Sequence, residues 1–244
     1  AIATVIGQWV AMAITLLAVM KKYSLRGSFK TELCKQIYAN GIGSIVTQSL
    51  YTIYIVGLNM VLKIFTEDAV TVLGIYYKIQ SFFFIPLLGF QQVLLPLFSY
   101  HYGAGDRQRN RDILKCSMIF SVAIMTVATG IFFLFPEKLI QIFSTGSSIV
   151  AIGKYAFPVI SISFVFAGLT IVITSYLQGI AHIKSSLFII VLRQIVLLVP
   201  LAWVFHFIGL NAVWWTFPVT EIIASTTGIL IIIILHKQDS ALRI

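Results

Sequence analysis

Three ionisable side chains fall well inside long apolar stretches of the 244-residue sequence: Glu221, Arg193 and Lys78. A charge at membrane depth is costly, so such groups face a partner or a water-lined cavity. Two chemistries fit Glu221. It pairs with Arg193 on the preceding antiparallel stretch, long side chains bridging a modest offset in depth, or it is a protonatable or cation-binding carboxylate. Neutral polar residues recur at helical spacing beside these charges. Asn40, Ser44, Gln48, Tyr51 and Asn59 form one stripe, and Ser163, Thr170, Thr174 and Gln178 another. A stripe of this kind lines water or joins helices. Gln48, Gln91 and Gln92 favour a cavity, because an amide in hydrocarbon needs several partners. The residues expected at a cavity are Gln48, Tyr51, Lys78, Gln91, Gln92, Thr174, Gln178 and Arg193, with Glu221 as the candidate protonatable or cation-binding carboxylate.

Signatures of enzyme chemistry do not accompany these groups. The sequence holds no phosphate-binding glycine loop, no paired zinc histidines, no nucleophile elbow and no CxxC. His101, His182, His206 and His236 fall at expected helix ends or loops, where interfacial polar residues are ordinary. The two cysteines, Cys34 and Cys116, lack the spacing of a metal site and fit reduced thiols. Neither catalytic residues nor a cofactor are expected, and no metal.

The elements that must hold the polar residues are read from composition. Charged residues make up 10% of the chain and hydrophobic residues 59%, against roughly 25% charged in soluble domains. A water-soluble domain is excluded. Seven apolar runs reach the roughly 20 residues needed to cross a ~30 Å hydrocarbon core. They are Ile2 to Met20, Tyr38 to Leu62, Val70 to Phe98, Ile113 to Phe135, Tyr155 to Leu177, Leu187 to Phe207 and Ala212 to Leu235. Apolar and polar residues do not alternate along them, so helices rather than a barrel must satisfy the backbone. The expected fold is an all-α integral membrane protein with seven transmembrane helices. Pro86, Pro96, Pro158, Pro200 and Pro218 fall within or at the ends of these runs. Each removes a backbone donor and can break its helix, as transporter helices are broken near the midplane.

Cations outside the spans divide twelve to three between alternate loops. The rich side carries Lys21, Lys22, Arg26, Lys30, Lys35, Arg107, Arg109, Arg111, Lys115, Lys184, Lys237 and Arg243; the poor side carries Lys63, Lys138 and Lys154. The rich side is expected to be cytoplasmic, with the C-terminus on it. Most of the net charge of +9 is thereby topological, and the Arg107, Arg109, Arg111 cluster reads as a loop facing lipid headgroups rather than nucleic acid.

Several spaced motifs resemble one family. These are the opening Ala1 to Gln8; the run Tyr76-Tyr77-Lys78-Ile79-Gln80, with Ile85-Pro86, Gly89-Phe90-Gln91-Gln92 and Pro96; and Ser99 to Asp106. Tyr176-Leu177-Gln178-Gly179, Leu192-Arg193-Gln194 and Gly209 to Trp214 continue the likeness in order. Together they resemble multidrug and toxic compound extrusion (MATE) transporters. The resemblance implies a twelve-helix protein of two six-helix lobes, this chain being helix six followed by helices seven to twelve. Residues 1–20 would then end an N-terminal lobe otherwise missing, 21–37 would be a cytoplasmic linker, 38–236 the C-terminal lobe and 237–244 a cytoplasmic tail. A start at Ala1 without a charged flank fits a piece of a longer protein. The implied activity is antiport, in which Na⁺ or H⁺ moves inward while organic, often cationic, drugs leave across the plasma membrane by alternating access. Some family members carry cation-binding carboxylates in helices seven and ten. The matching places here hold polar or small residues, near Gln48 and Tyr51 and at about Ala167, so Glu221 is not carried over from the family. A lipid-linked oligosaccharide flippase of related architecture is the alternative within transport, and a seven-helix receptor a distant one.

Overall fold

The computed structural model describes residues 2–22, 34 and 49–241. The chain divides into two compact units, residues 1–42 and 43–244.

In the first unit, α1 (Ile2–Lys22) is mostly apolar, with Thr4, Gln8 and Thr15 at helical spacing along one face, and Trp9, Ile14 and Leu17 are exposed. Its Thr15 hydroxyl donates to the Ala11 carbonyl at 2.8 Å, meeting its need for a partner within the helix.

The second unit is helical throughout its described residues, apart from short connections. In chain order it comprises α2 (Ser49–Lys63), α3 (Glu67–Gly103), α4 (Arg107–Leu134), α5 (Pro136–Gln141), α6 (Ser147–Ser161), α7 (Ser163–Gly179) and α8 (Ile183–Val191). A π-helical turn (Leu192–Leu198), α9 (Val199–His206), α10 (Leu210–Val213) and α11 (Thr216–Ala241) follow. Local chemistry marks the boundaries. The Thr66 hydroxyl accepts from Ala69 N at 3.1 Å to start α3, whose first turn carries Glu67 and Asp68 against the positive end of the helix. Asp106 does the same for α4, accepting from Arg109 N at 3.0 Å. Between these two helices Gly105 takes φ +75°, a conformation open to residues without Cβ.

Four stretches are long and apolar enough to cross a membrane: Glu67–Gly103, Arg107–Leu134, Ile183–His206 and Leu210–Leu235. The span expected over Tyr155 to Leu177 is instead two helices, α6 and α7, bent by 42°. Pro158 lies just before the bend, and the carbonyls freed there are met by side chains. The Ser161 hydroxyl donates to Pro158 O at 2.8 Å and the Ser163 hydroxyl to Ile160 O at 2.6 Å. Were the bent pair to cross as one, it would be a fifth span. Val5–Lys21 and Ser49–Lys63 are shorter apolar helices. The expected segment from Tyr38 to Gln48 lies outside the described residues.

The bent partner α7 forms the axis of the unit, packing against α3, α4, α8 and α11 with twelve of its 17 residues buried. Close approach is made possible by small residues. A Cβ on Gly168 would stand 2.5 Å from Ser121 Oγ on α4, and one on Gly179 would stand 2.5 Å from Phe98 Cβ on α3. Two apolar clusters stack along α7. One gathers Tyr76, Phe132, Phe157, Phe164, Trp214 and Phe217; the other gathers Phe98, Val172, Ile173, Tyr176, Leu177 and Ala224. On α7 the junction falls between Ala167 and Val172, and on α11 between Phe217 and Ala224. Thr170 and Glu221 occupy that junction.

Candidate functional site

At the junction, Arg193 Nε donates to Glu221 Oε1 at 2.8 Å. The charges are unequally covered, with side-chain exposures of 26% for Arg193 and 7% for Glu221. The two residues come from antiparallel neighbours, the π-helical turn and α11, which pack together. The turn itself contributes to the placement. Hydrogen bonds closed five residues on, not four, rotate the chain less per residue, so adjacent Arg193 and Gln194 both line the same space. Pro200, with no N–H to give, follows directly in α9.

That space is a cavity of about 30 Å³. Tyr54 of α2 and Tyr76, Tyr77 and Gln80 of α3 form one wall, and Ser163 and Ala167 of α7 another. The π turn adds Arg193, Gln194 and Leu198, and α11 adds Phe217 and Glu221. Helical spacing explains the sets. Tyr76 and Gln80 are four residues apart, as are Ser163 and Ala167, and Phe217 and Glu221. Thr170, one further turn along α7, lies beside the carboxylate, and its hydroxyl donates to Phe166 O at 2.9 Å.

Three buried polar atoms of residues that line the cavity, Glu221 Oε2, Gln194 Oε1 and the Tyr77 hydroxyl, have no hydrogen-bond partner among the described residues, and each is closed to a water-sized probe. One water needs roughly 10–15 Å³ of such volume and two to four polar partners, so this cavity is of a size for about two waters. Drug-sized ligands occupy roughly 300–1,000 Å³ and do not fit. A ladder of rings leads outward from the cavity. Tyr77 and Tyr54 have centroids 6.5 Å apart and Tyr54 and Tyr51 5.2 Å apart, and Tyr51 is exposed.

Of the residues singled out from sequence, the structure brings Arg193 and Glu221 together and places Tyr51 at the outer end of the ladder. It does not bring the others to the cavity. Lys78 follows Tyr77 on α3 and is turned about 100° away from it; it is exposed, its ammonium 5.7 Å from the centroid of the Phe143 ring. Gln91 shares the face of Gln80 but lies about 16 Å farther along α3 at 1.5 Å per residue, and Gln92 is exposed. The Thr174 hydroxyl returns to Thr170 O at 2.9 Å, and Gln178 Nε2 donates to Ser186 Oγ at 3.0 Å, joining α7 to α8. Both polar side chains are consumed in helix structure and packing. Gln48 lies outside the described residues. Sequence reasoning did not single out Tyr54, Tyr76, Tyr77, Gln80 or Gln194 as site residues. The available signal was the clustering of hydroxyl and amide side chains in Tyr76-Tyr77 with Gln80 and in Arg193-Gln194, on spans that also carry a charge.

Fold and site together define a multi-pass, all-helical membrane protein with a buried ion pair beside a water-sized cavity. A family model described as MatE matches residues 43–204, and the chain belongs to that family. The multidrug export protein MepA of Staphylococcus saprophyticus is 24% identical over 208 residues, covering 85% of this chain and 46% of that protein. MepA of Staphylococcus aureus strain NCTC 8325 is 22% identical over 207 residues, again covering 85% and 46%. The chain therefore spans about half the length of the curated relatives it matches. Among solved structures, a variant of the Vibrio cholerae MATE transporter VcmN superposes with a TM-score of 0.80 at 19% identity, covering 94% of this chain and 53% of that one. The MATE multidrug transporter DinF-BH gives 0.78 at 26% identity, with coverages of 94% and 53%.

Proposed function

We propose that this chain supplies the second lobe of an ion-coupled multidrug exporter, in which H⁺ or Na⁺ moves inward as an organic, often cationic, compound moves out. The observation that carries the reading is the Arg193–Glu221 pair, buried within the spans between residues that both line a cavity sized for water. A cavity of about 30 Å³ serves an ion and not a drug. The organic substrate is accordingly bound outside the lobe's interior, and the interior site serves the coupling ion. Energy comes from the ion gradient rather than from nucleotide hydrolysis. In this reading the protein sits in the plasma membrane, and the twelve cations on one set of loops support a cytoplasmic position for that side and the C-terminus. The other lobe is the partner that completes the transport path.

The test is Glu221→Gln in the complete two-lobed protein, expressed in drug-sensitive cells. The expected result is lowered resistance to organic cations at a normal level in the membrane. Unchanged resistance would confine Glu221 to a packing role.

A further inference from the structure

The first turns of α4 carry a surface that the interior pair does not use. A groove of about 460 Å³ is lined by Asp106, Gln108, Arg109, Asp112, Ile113 and Cys116. A second, of about 280 Å³, is lined by Gly105, Asp106, Arg107, Gln108 and Arg111. Asp106 and Gln108 border both, so the two grooves flank one stretch of helix. Its carboxylates are already engaged. Asp106 accepts from Arg109 N at 3.0 Å, and Asp112 accepts from Gln108 Nε2 at 3.3 Å. Arg109 and Arg111 form no ion pair among the described residues. Three arginines and two engaged carboxylates leave this stretch positively charged.

The larger groove changes character along its length. Arg109, Ile113, Cys116 and Phe120 follow at steps of four, three and four residues, which puts them on one face of α4. Arg109, Cys116 and Phe120 are exposed, and the Phe120 ring lies 4.8 Å from that of Phe90 on α3. The apolar run of α4 begins at Ile113, so Arg109 stands about 6 Å beyond it at 1.5 Å per residue. Exposed Tyr100 and Tyr102, at the adjoining end of α3, suit the same interfacial level. A cation at headgroup level over an apolar face is complementary to a phospholipid. The guanidinium offers a phosphate two parallel N–H donors, and the apolar face takes the chains.

We propose that this face of α4 is a binding site for an anionic phospholipid. Arg109 holds the phosphate, the chains run along Ile113, Cys116 and Phe120, and Arg107 and Arg111 add to the preference for negative charge. The site is independent of ion-coupled export, and it is more than an excess of cations on one side. Cations spread over a surface attract anionic lipid by their number alone. A site makes Arg109 count for more than a cation elsewhere at the same end of the unit.

The experiment uses the full 244-residue chain carrying Cys34→Ser, which leaves Cys116 as its one thiol. The chain is placed in nanodiscs of phosphatidylcholine with a rising fraction of phosphatidylglycerol, and the rate at which a membrane-impermeant maleimide reaches Cys116 reads occupancy of the groove. The expected result is saturable protection by phosphatidylglycerol, with a half-protecting fraction that Arg109→Gln raises about fivefold. Lys184→Gln removes an exposed cation from α8, at the end of the unit where Gly179 meets Phe98, and should leave that fraction unchanged. An anionic surface also slows the thiol by lowering the local pH, but it does so in every variant alike. No protection in the parent, or an Arg109→Gln curve that matches the parent, overturns the proposal. An equal shift in Lys184→Gln reduces the groove to spread charge and overturns it as well. Inorganic phosphate in pure phosphatidylcholine discs should not protect; protection by phosphate alone would make this an anion site and refute the lipid. Native mass spectrometry of the parent in equimolar phosphatidylglycerol and phosphatidylcholine carries the test if Arg109→Gln does not fold. Preferential retention of phosphatidylglycerol is expected there, and equal retention of the two lipids contradicts the site.

Discussion

Removing one partner of the buried pair at a time exposes how unequally the two charges are protected. Glu221 has 7% of its side chain exposed and Arg193 26%, so an abandoned guanidinium can turn to water where an abandoned carboxylate cannot. Breaking a buried pair from one side typically costs about 3–5 kcal/mol. For Arg193→Met, which strands the buried carboxylate, the expected loss is therefore about 3–5 kcal/mol. Glu221→Gln keeps an oxygen for Nε and leaves a charge that reaches water, for about 1 kcal/mol. The double change Arg193→Met with Glu221→Leu returns to within about 1 kcal/mol of the parent. Equilibrium unfolding of the chain in mixed micelles, followed by circular dichroism, measures the parent and all three variants. If Arg193→Met is no worse than Glu221→Gln, or the double variant is as unstable as the worse single one, the pair is not buried as the structure has it.

Other consequences follow from packing and capping. Gly179→Ala places a Cβ 2.5 Å from Phe98 Cβ and 3.3 Å from Ser99 N; no rotamer relieves a contact with backbone, so α3 and α7 must separate, at about 1–3 kcal/mol in the same unfolding assay. The ion pair between Lys154 and Glu137, 2.5 Å apart, lies in solvent-exposed side chains, so Lys154→Ala should change stability by less than about 1 kcal/mol. Thr66→Ala removes the hydroxyl that accepts from Ala69 N and should cost about 1 kcal/mol, with faster amide exchange confined to the first turn of α3.

The all-helical membrane class was legible because long apolar runs and scarce charge leave few alternatives. The Arg193–Glu221 pair was legible as one of two options, since the two charges fall within neighbouring antiparallel stretches at depths that long side chains can bridge. Its surroundings were harder to read. Tyrosines count as apolar in a span, so the hydroxyl floor made by Tyr54, Tyr76 and Tyr77 carried little signal. The π turn is a change of hydrogen-bond register, which periodicity averages away; Pro200 was its one trace. The polar stripe on α7 was visible but its use was not. Thr174 and Gln178 satisfy themselves on a neighbouring carbonyl and on Ser186, a choice made by local geometry rather than by residue type. Lys78 was legible as a charge within a span but its direction was not: it is exposed, against the Phe143 ring rather than on the cavity.

The most direct test of ion-coupled export is flux of a fluorescent organic cation in vesicles containing the two-lobed protein, with H⁺ and Na⁺ gradients imposed separately. The account predicts flux that follows one of the two gradients and loses that dependence in Glu221→Gln. Flux that ignores both gradients, or that keeps its dependence without Glu221, would contradict it.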